Sequence, residues 1–164
     1  MKKVILLLFV ALLAIMAREP YHRENIYTPV FISRETLNNS VKYINESRDM
    51  IQTGKIYYRD PYIYVNERYK GVHVINNTHP ARPVNEGFIL APGCLDMAVK
   101  GNILYLDNAV DLVSFDLVSK QVTQRIENAF PEPVPPNDFF YYGYNRPDGY
   151  IIVEWKKQFN SIEP

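Results

Sequence analysis

The chain has 164 residues, 47% of them apolar, and its 18 basic and 18 acidic residues give a formal net charge of zero. One domain with an ample core fits that length and composition, whereas the even charge argues against a nucleic-acid binder, which needs a concentrated basic surface, and supplies no basic patch for a membrane surface. The single cysteine, Cys94, excludes an internal disulfide.

Met1-Lys2-Lys3 followed by the apolar run from Val4 to Ala17 has the charged start and apolar stretch of a secretory signal peptide. The run falls short of the roughly 20 residues needed to span a bilayer, so residues 1–17 are expected to be removed on export, leaving no membrane span. Residues 18–54 form a polar arm with scattered anchors, among them Tyr27, Val30, Phe31 and Leu37. Within it Ser33 is placed to cap a short helix over Arg34-Glu35-Thr36-Leu37, Val41 to Ile44 form a brief strand, and the arm as a whole is expected to lie extended along a sheet.

Strands are predicted at Lys55 to Arg59 and Tyr62 to Asn66, joined by Asp60-Pro61, and at Gly71 to Asn76. Asn76-Asn77-Thr78-His79-Pro80 is a turn cluster in which Pro80 and Pro83 forbid helix. Further strands follow at Gly87 to Leu90, at Asp96 to Val99 and, after a tight Lys100-Gly101-Asn102 turn, at Ile103 to Leu106. Leu112 to Asp116 and Val122 to Ile126 complete the set. Pro131-Glu132-Pro133-Val134-Pro135-Pro136 must run extended, as a linker or a strap over the core. Phe139-Phe140-Tyr141-Tyr142-Gly143-Tyr144 is the densest aromatic patch, and Tyr150 to Trp155 is the last strand.

These runs repeat. Tyr64 aligns with Tyr105 at a spacing of 41, and Asn76 with Asp116 at a spacing of 40. A period near forty built from short β-branched and aromatic runs signals propeller-type blades of four strands. Residues 55–130 therefore read as two such repeats, and residues 131–164 as the strap, the aromatic patch and a final strand. The fold expected is all-β, with antiparallel propeller-like blades and an extended N-terminal arm. Removal of residues 1–17 leaves 147, and a closed propeller needs at least about four blades of this size, so the blades are expected to stay open. Open sheets expose edges that invite another chain unless something covers them, and the arm and the proline strap are the obvious covers.

Several of these segments together resemble the LVIVD-repeat proteins of bacterial cell envelopes, common in Bacteroidetes: Gly71 to Asn76, the Pro92-Gly93 turn, Asp96 to Tyr105 and Asp111 to Leu117, with Tyr27 to Glu35 before the repeats and Arg125 to Pro131 and Gly149 to Trp155 after them. The resemblance implies a β-propeller-like fold and a place in the cell envelope, with no reaction attached. Many members are lipoproteins with a cysteine after the signal region. Arg18 and Glu19 stand there in this chain, which speaks against a lipid anchor and for an exported protein of the periplasm or envelope.

Catalysis would require a nucleophile with a base, a carboxylate pair in a cleft, or metal ligands at workable spacing. His22, His73 and His79 are the only histidines and none lies in a ligand motif. His73, within a strand, reads as a hydrogen-bonded structural residue and His79 as a solvated turn residue. Asp96, Asp107, Asp111 and Asp116 mark strand ends or turns, where Asp bonds nearby backbone amides. Cys94 reads as a small buried thiol. No enzyme, cofactor or metal is expected. The function expected is a non-catalytic interaction module of the envelope that binds a protein partner, or a copy of itself, through sheet edges or the aromatic patch. The alternatives are a glycan-binding surface protein using Tyr141, Tyr142 and Tyr144, whose rings would stack on sugars, and a truncated paralogue of a longer LVIVD-repeat protein.

Overall fold

In the computed structural model, residues 27–136 and 145–158 are described, and among them three antiparallel sheets and one short helix make up the regular structure. In chain order the elements are β1 (Tyr27–Ser33), α1 (Arg34–Asn38), β2 (Lys42–Ile44), β3 (Thr53–Arg59), β4 (Tyr62–Glu67), β5 (Gly71–Asn76), β6 (Val84–Leu90), β7 (Met97–Lys100), β8 (Ile103–Asn108), β9 (Asp111–Asp116), β10 (Gln121–Ile126) and β11 (Tyr150–Lys157).

The first sheet is a β3-β4-β5-β6 meander with β2 added beyond β6, and the second is a β7-β8-β9-β10 meander. These are the two repeats. β4 and β8 correspond residue for residue at an offset of 41, and β5 and β9 at an offset of 40. The lost residue lies in the turn, which is Arg68-Tyr69-Lys70 in the first sheet and Ala109-Val110 in the second. Gly101-Asn102 links β7 to β8 with Gly101 in the left-handed region at φ 59°, the conformation such a hairpin turn demands.

One core joins the two blades. Tyr64, Val72, Val74 and Ile89 on one face of the first sheet meet Met97, Val99, Leu104, Leu106, Val113 and Phe115 on one face of the second. Charged and polar contacts stitch the rim of this interface: Lys55 reaches Asp96 at 2.8 Å, Arg59 donates to Asn102, and the Lys120 ammonium lies 3.9 Å from the Tyr43 ring centre. Cys94 is fully buried in the connection between the blades.

The arm differs from a single extended segment along a sheet. Only β2 behaves that way, closing the β6 edge. β1 instead leaves the blades and pairs with β11 to form the third sheet, because its apolar residues Val30 and Ile32, with Ile151 and Val153, find a second small core on Leu37, Ala109 and Val110. Ser33 caps α1 by accepting from the Thr36 amide at 3.1 Å. The proline strap, residues 131–136, has no regular structure. It is held by the Phe130 amide on the Val110 carbonyl at 2.9 Å and by the Trp155 indole on the Pro133 carbonyl at 2.8 Å.

Candidate binding face

Strand alternation gives each blade two faces. In the second blade Leu104, Leu106, Val113 and Phe115 point into the inter-blade core, which leaves Tyr105, Asp107, Leu112 and Ser114 on the opposite face. That face is only partly covered. Phe130, Pro131 and Pro133 wall one side of a cleft of about 400 Å³ over Ala98, Tyr105, Asp107 and Leu112.

Asp107 is the one carboxylate in the lining that is largely withdrawn from water. Its Oδ1 accepts from the amides of Leu95 at 2.8 Å and Asp96 at 2.9 Å, so it ties the start of β7 to the end of β8 rather than closing a local turn. Burial pushes its pKa above the ordinary value, and the two amides only partly offset that. Asp96 at the rim behaves oppositely: the Lys55 ammonium lowers its pKa. Beneath lies Cys94, whose pKa burial raises well above 9.0, with the nearby Asp107 carboxylate adding to the effect. A thiol so held is not a nucleophile at neutral pH. The native protein should therefore react with Ellman's reagent at a small fraction of the rate seen in urea, where one thiol per chain titrates promptly. Prompt reaction of native protein would contradict that burial.

Two buried polar clusters lie away from the cleft. Asp111, at the start of β9, receives Arg34 on both oxygens at 2.7 and 2.8 Å, Arg125 at 2.6 Å and the Asn128 amide at 3.0 Å. It fastens the arm to the second blade. On the far face of the first blade, Glu67 accepts from the amides of Ile51 and Gln52 and lies 3.3 Å from His73. That pair pins the segment before β3 across Phe88, over which Arg48 sits 4.9 Å from the ring centre.

His73 and Cys94 are thus buried, as the sequence reading expects, and His79 is exposed in its turn. Asp116 does bond nearby amides, those of Val118 and Ser119 at 2.8 Å each, whereas Asp107 and Asp111 serve distant partners. His22 and the aromatic candidates Tyr141, Tyr142 and Tyr144 lie outside the described residues, as does the expected signal peptide. Sequence reasoning missed the open face of the second blade. The signal was present: laying the second repeat over the first puts Tyr105 on Tyr64 and Leu112 on Val72, and both partners in the first repeat are core residues.

Among the described residues no group of three His, Cys, Asp or Glu side chains is placed to hold a metal ion, and no helix is long and apolar enough to cross a membrane. No family model, curated protein or solved structure matches the chain.

Proposed function

We propose that this chain is a non-catalytic interaction module of the bacterial cell envelope that binds a protein partner through the open face of its second blade. One observation carries the reading. Tyr105 and Leu112 repeat Tyr64 and Val72, which the neighbouring blade covers, yet among the described residues no blade covers them. A concave apolar surface edged by polar groups is the usual form of a protein-binding site. The buried carboxylates Asp107 and Asp111 are committed to amides and arginines, which favours binding over catalysis. The envelope location rests on the Met1 to Ala17 segment and on the resemblance to LVIVD-repeat proteins.

A photo-crosslinking amino acid at Ile126, on the rim of this face, is expected to give an adduct of defined mass in intact cells. The same group at Val118, exposed in the β9–β10 turn, should give none, and Leu112→Arg should remove the adduct at position 126. Equal labelling from both positions, or none from 126, would sink the proposal.

A further inference from the structure

We infer that the partner is a second copy of this chain, docked head to tail so that the open face of one second blade covers the outer face of the next copy's first blade. This rests on the binding face proposed above and names its occupant. The strand pairing makes Ile56 opposite Val65 the counterpart of Met97 opposite Leu106, and Tyr58 opposite Ile63 the counterpart of Val99 opposite Leu104. Met97 and Val99 are core residues, 3% and 7% exposed, and Ile56 and Tyr58 are 65% and 58% exposed. The mismatch recurs on the other side of the unit. Ile126 opposite Leu112 is the counterpart of Ile89 opposite Val72, and Ile126 is 49% exposed where Ile89 is fully buried.

At each end the chain therefore carries part of its own inter-blade interface a second time, with Ile56 and Tyr58 exposed at one end and Ile126 at the other, although Val65 and His73 on the first face are already buried. Docking one part on the other would repeat contacts the fold already makes. Charge follows the same logic: Lys55 and Asp96 stand at equivalent repeat positions with opposite sign and already pair at 2.8 Å within the chain, so a docked copy presents its Lys55 to Asp96. Among the described residues the strap walls this face at Phe130, Pro131 and Pro133 alone, and the segment pinned by Glu67 covers His73 and Phe88 while leaving Ile56 and Tyr58 exposed. Such an interface is heterologous and closes when the rotation per copy fits a ring. With two blades per copy, about two to four copies complete a propeller of common size.

Sedimentation velocity on the protein as purified from cells tests this with two variants, Ile126→Arg and Tyr58→Arg. Both residues are exposed, so each variant should melt with the wild type, and Ile126→Ser serves as a milder second probe. Wild type is expected to form a discrete oligomer, each Arg variant to weaken association by at least about thirtyfold, and an equimolar mixture to recover a 1:1 dimer, since each variant keeps the face the other lacks. Persistent assembly of either variant alone, or failure of the mixture to pair, would overturn the head-to-tail arrangement. Monomeric wild type that still yields a foreign adduct at position 126 would overturn the second copy alone and leave the proposed binding face standing.

Discussion

Asp111→Ala is expected to destabilise the protein by about 3–5 kcal/mol, the range found when one partner of a buried ion pair is removed. The Asp111 side chain has no exposure, and Arg34 and Arg125 retain only 26% and 13%. Deleting the carboxylate leaves two guanidinium groups facing each other across its vacated place, one of them also bonded to Asn128 and the other to the Leu37 carbonyl. The loss reaches the third sheet, because Arg34 also donates its amide to Gly149 beside β11. Acid should act through the same group. Burial raises the Asp111 pKa, but Arg34, the Asn128 amide and Arg125 together lower it further, so the folded value lies below the ordinary 3.8. A depressed carboxylate contributes stability that is complete above its unfolded pKa and is lost as pH falls through the folded one. The stability of wild type measured by urea unfolding should thus fall below about pH 4, and the variant should lack that part of the acid sensitivity. A variant within about 1 kcal/mol of wild type would mean that the arginines find other partners.

The repeat was legible because it is local: each strand declares itself by β-branched and aromatic runs of five or six residues between turn-formers, and the Ser33 cap and the Gly101-Asn102 turn are set by residues adjacent in sequence. The all-β class and the blades follow from those signals, and their staying open from the length of the chain. Contacts between distant residues were not legible. The pairing of Tyr27 with Lys157 and the Arg34–Asp111 ion pair join segments with no shared local pattern, so β1 read as part of an arm and Asp111 as a turn residue. Asp107 was misread for the same reason, since its amide partners lie across the sheet. The binding face falls between these cases, because the period-2 alternation of β8 and β9 combined with the repeat identifies it, whereas its wall from Phe130 to Pro133 depends on the Trp155 bond that no local rule contains.

Gly71→Ala is expected to cost about 3 kcal/mol, from backbone strain and steric overlap together. Gly71 opens β5 at φ 142°, a conformation that residues with a Cβ rarely adopt, and a Cβ there would land on the Ile89 carbonyl oxygen and 2.9 Å from the Ala91 amide. Both are backbone atoms of the adjoining strand and its exit, so neither can swing aside. The equivalent position in the second repeat is Asp111, which carries a full side chain without strain. Two differences explain it. The first turn, Arg68-Tyr69-Lys70, is one residue longer than Ala109-Val110, although both carry a left-handed residue, Tyr69 and Ala109, and the extra residue alters how the chain enters the strand. In addition, β6 runs on to Leu90 directly opposite Gly71, whereas β10 ends at Ile126, opposite Leu112, and leaves the flank of Asp111 open for its arginines. Gly101→Ala separates the two costs. Gly101 has φ 59° with nothing within 4 Å of an added Cβ, so it should lose only the left-handed penalty of about 1–2 kcal/mol. Chemical denaturation of both variants gives the comparison. Equal losses would mean that the β6 backbone yields to the methyl group, and a larger loss at Gly71 would place the excess in the fixed approach of β5 to β6, the contact that fixes the position of Ile89 in the inter-blade core.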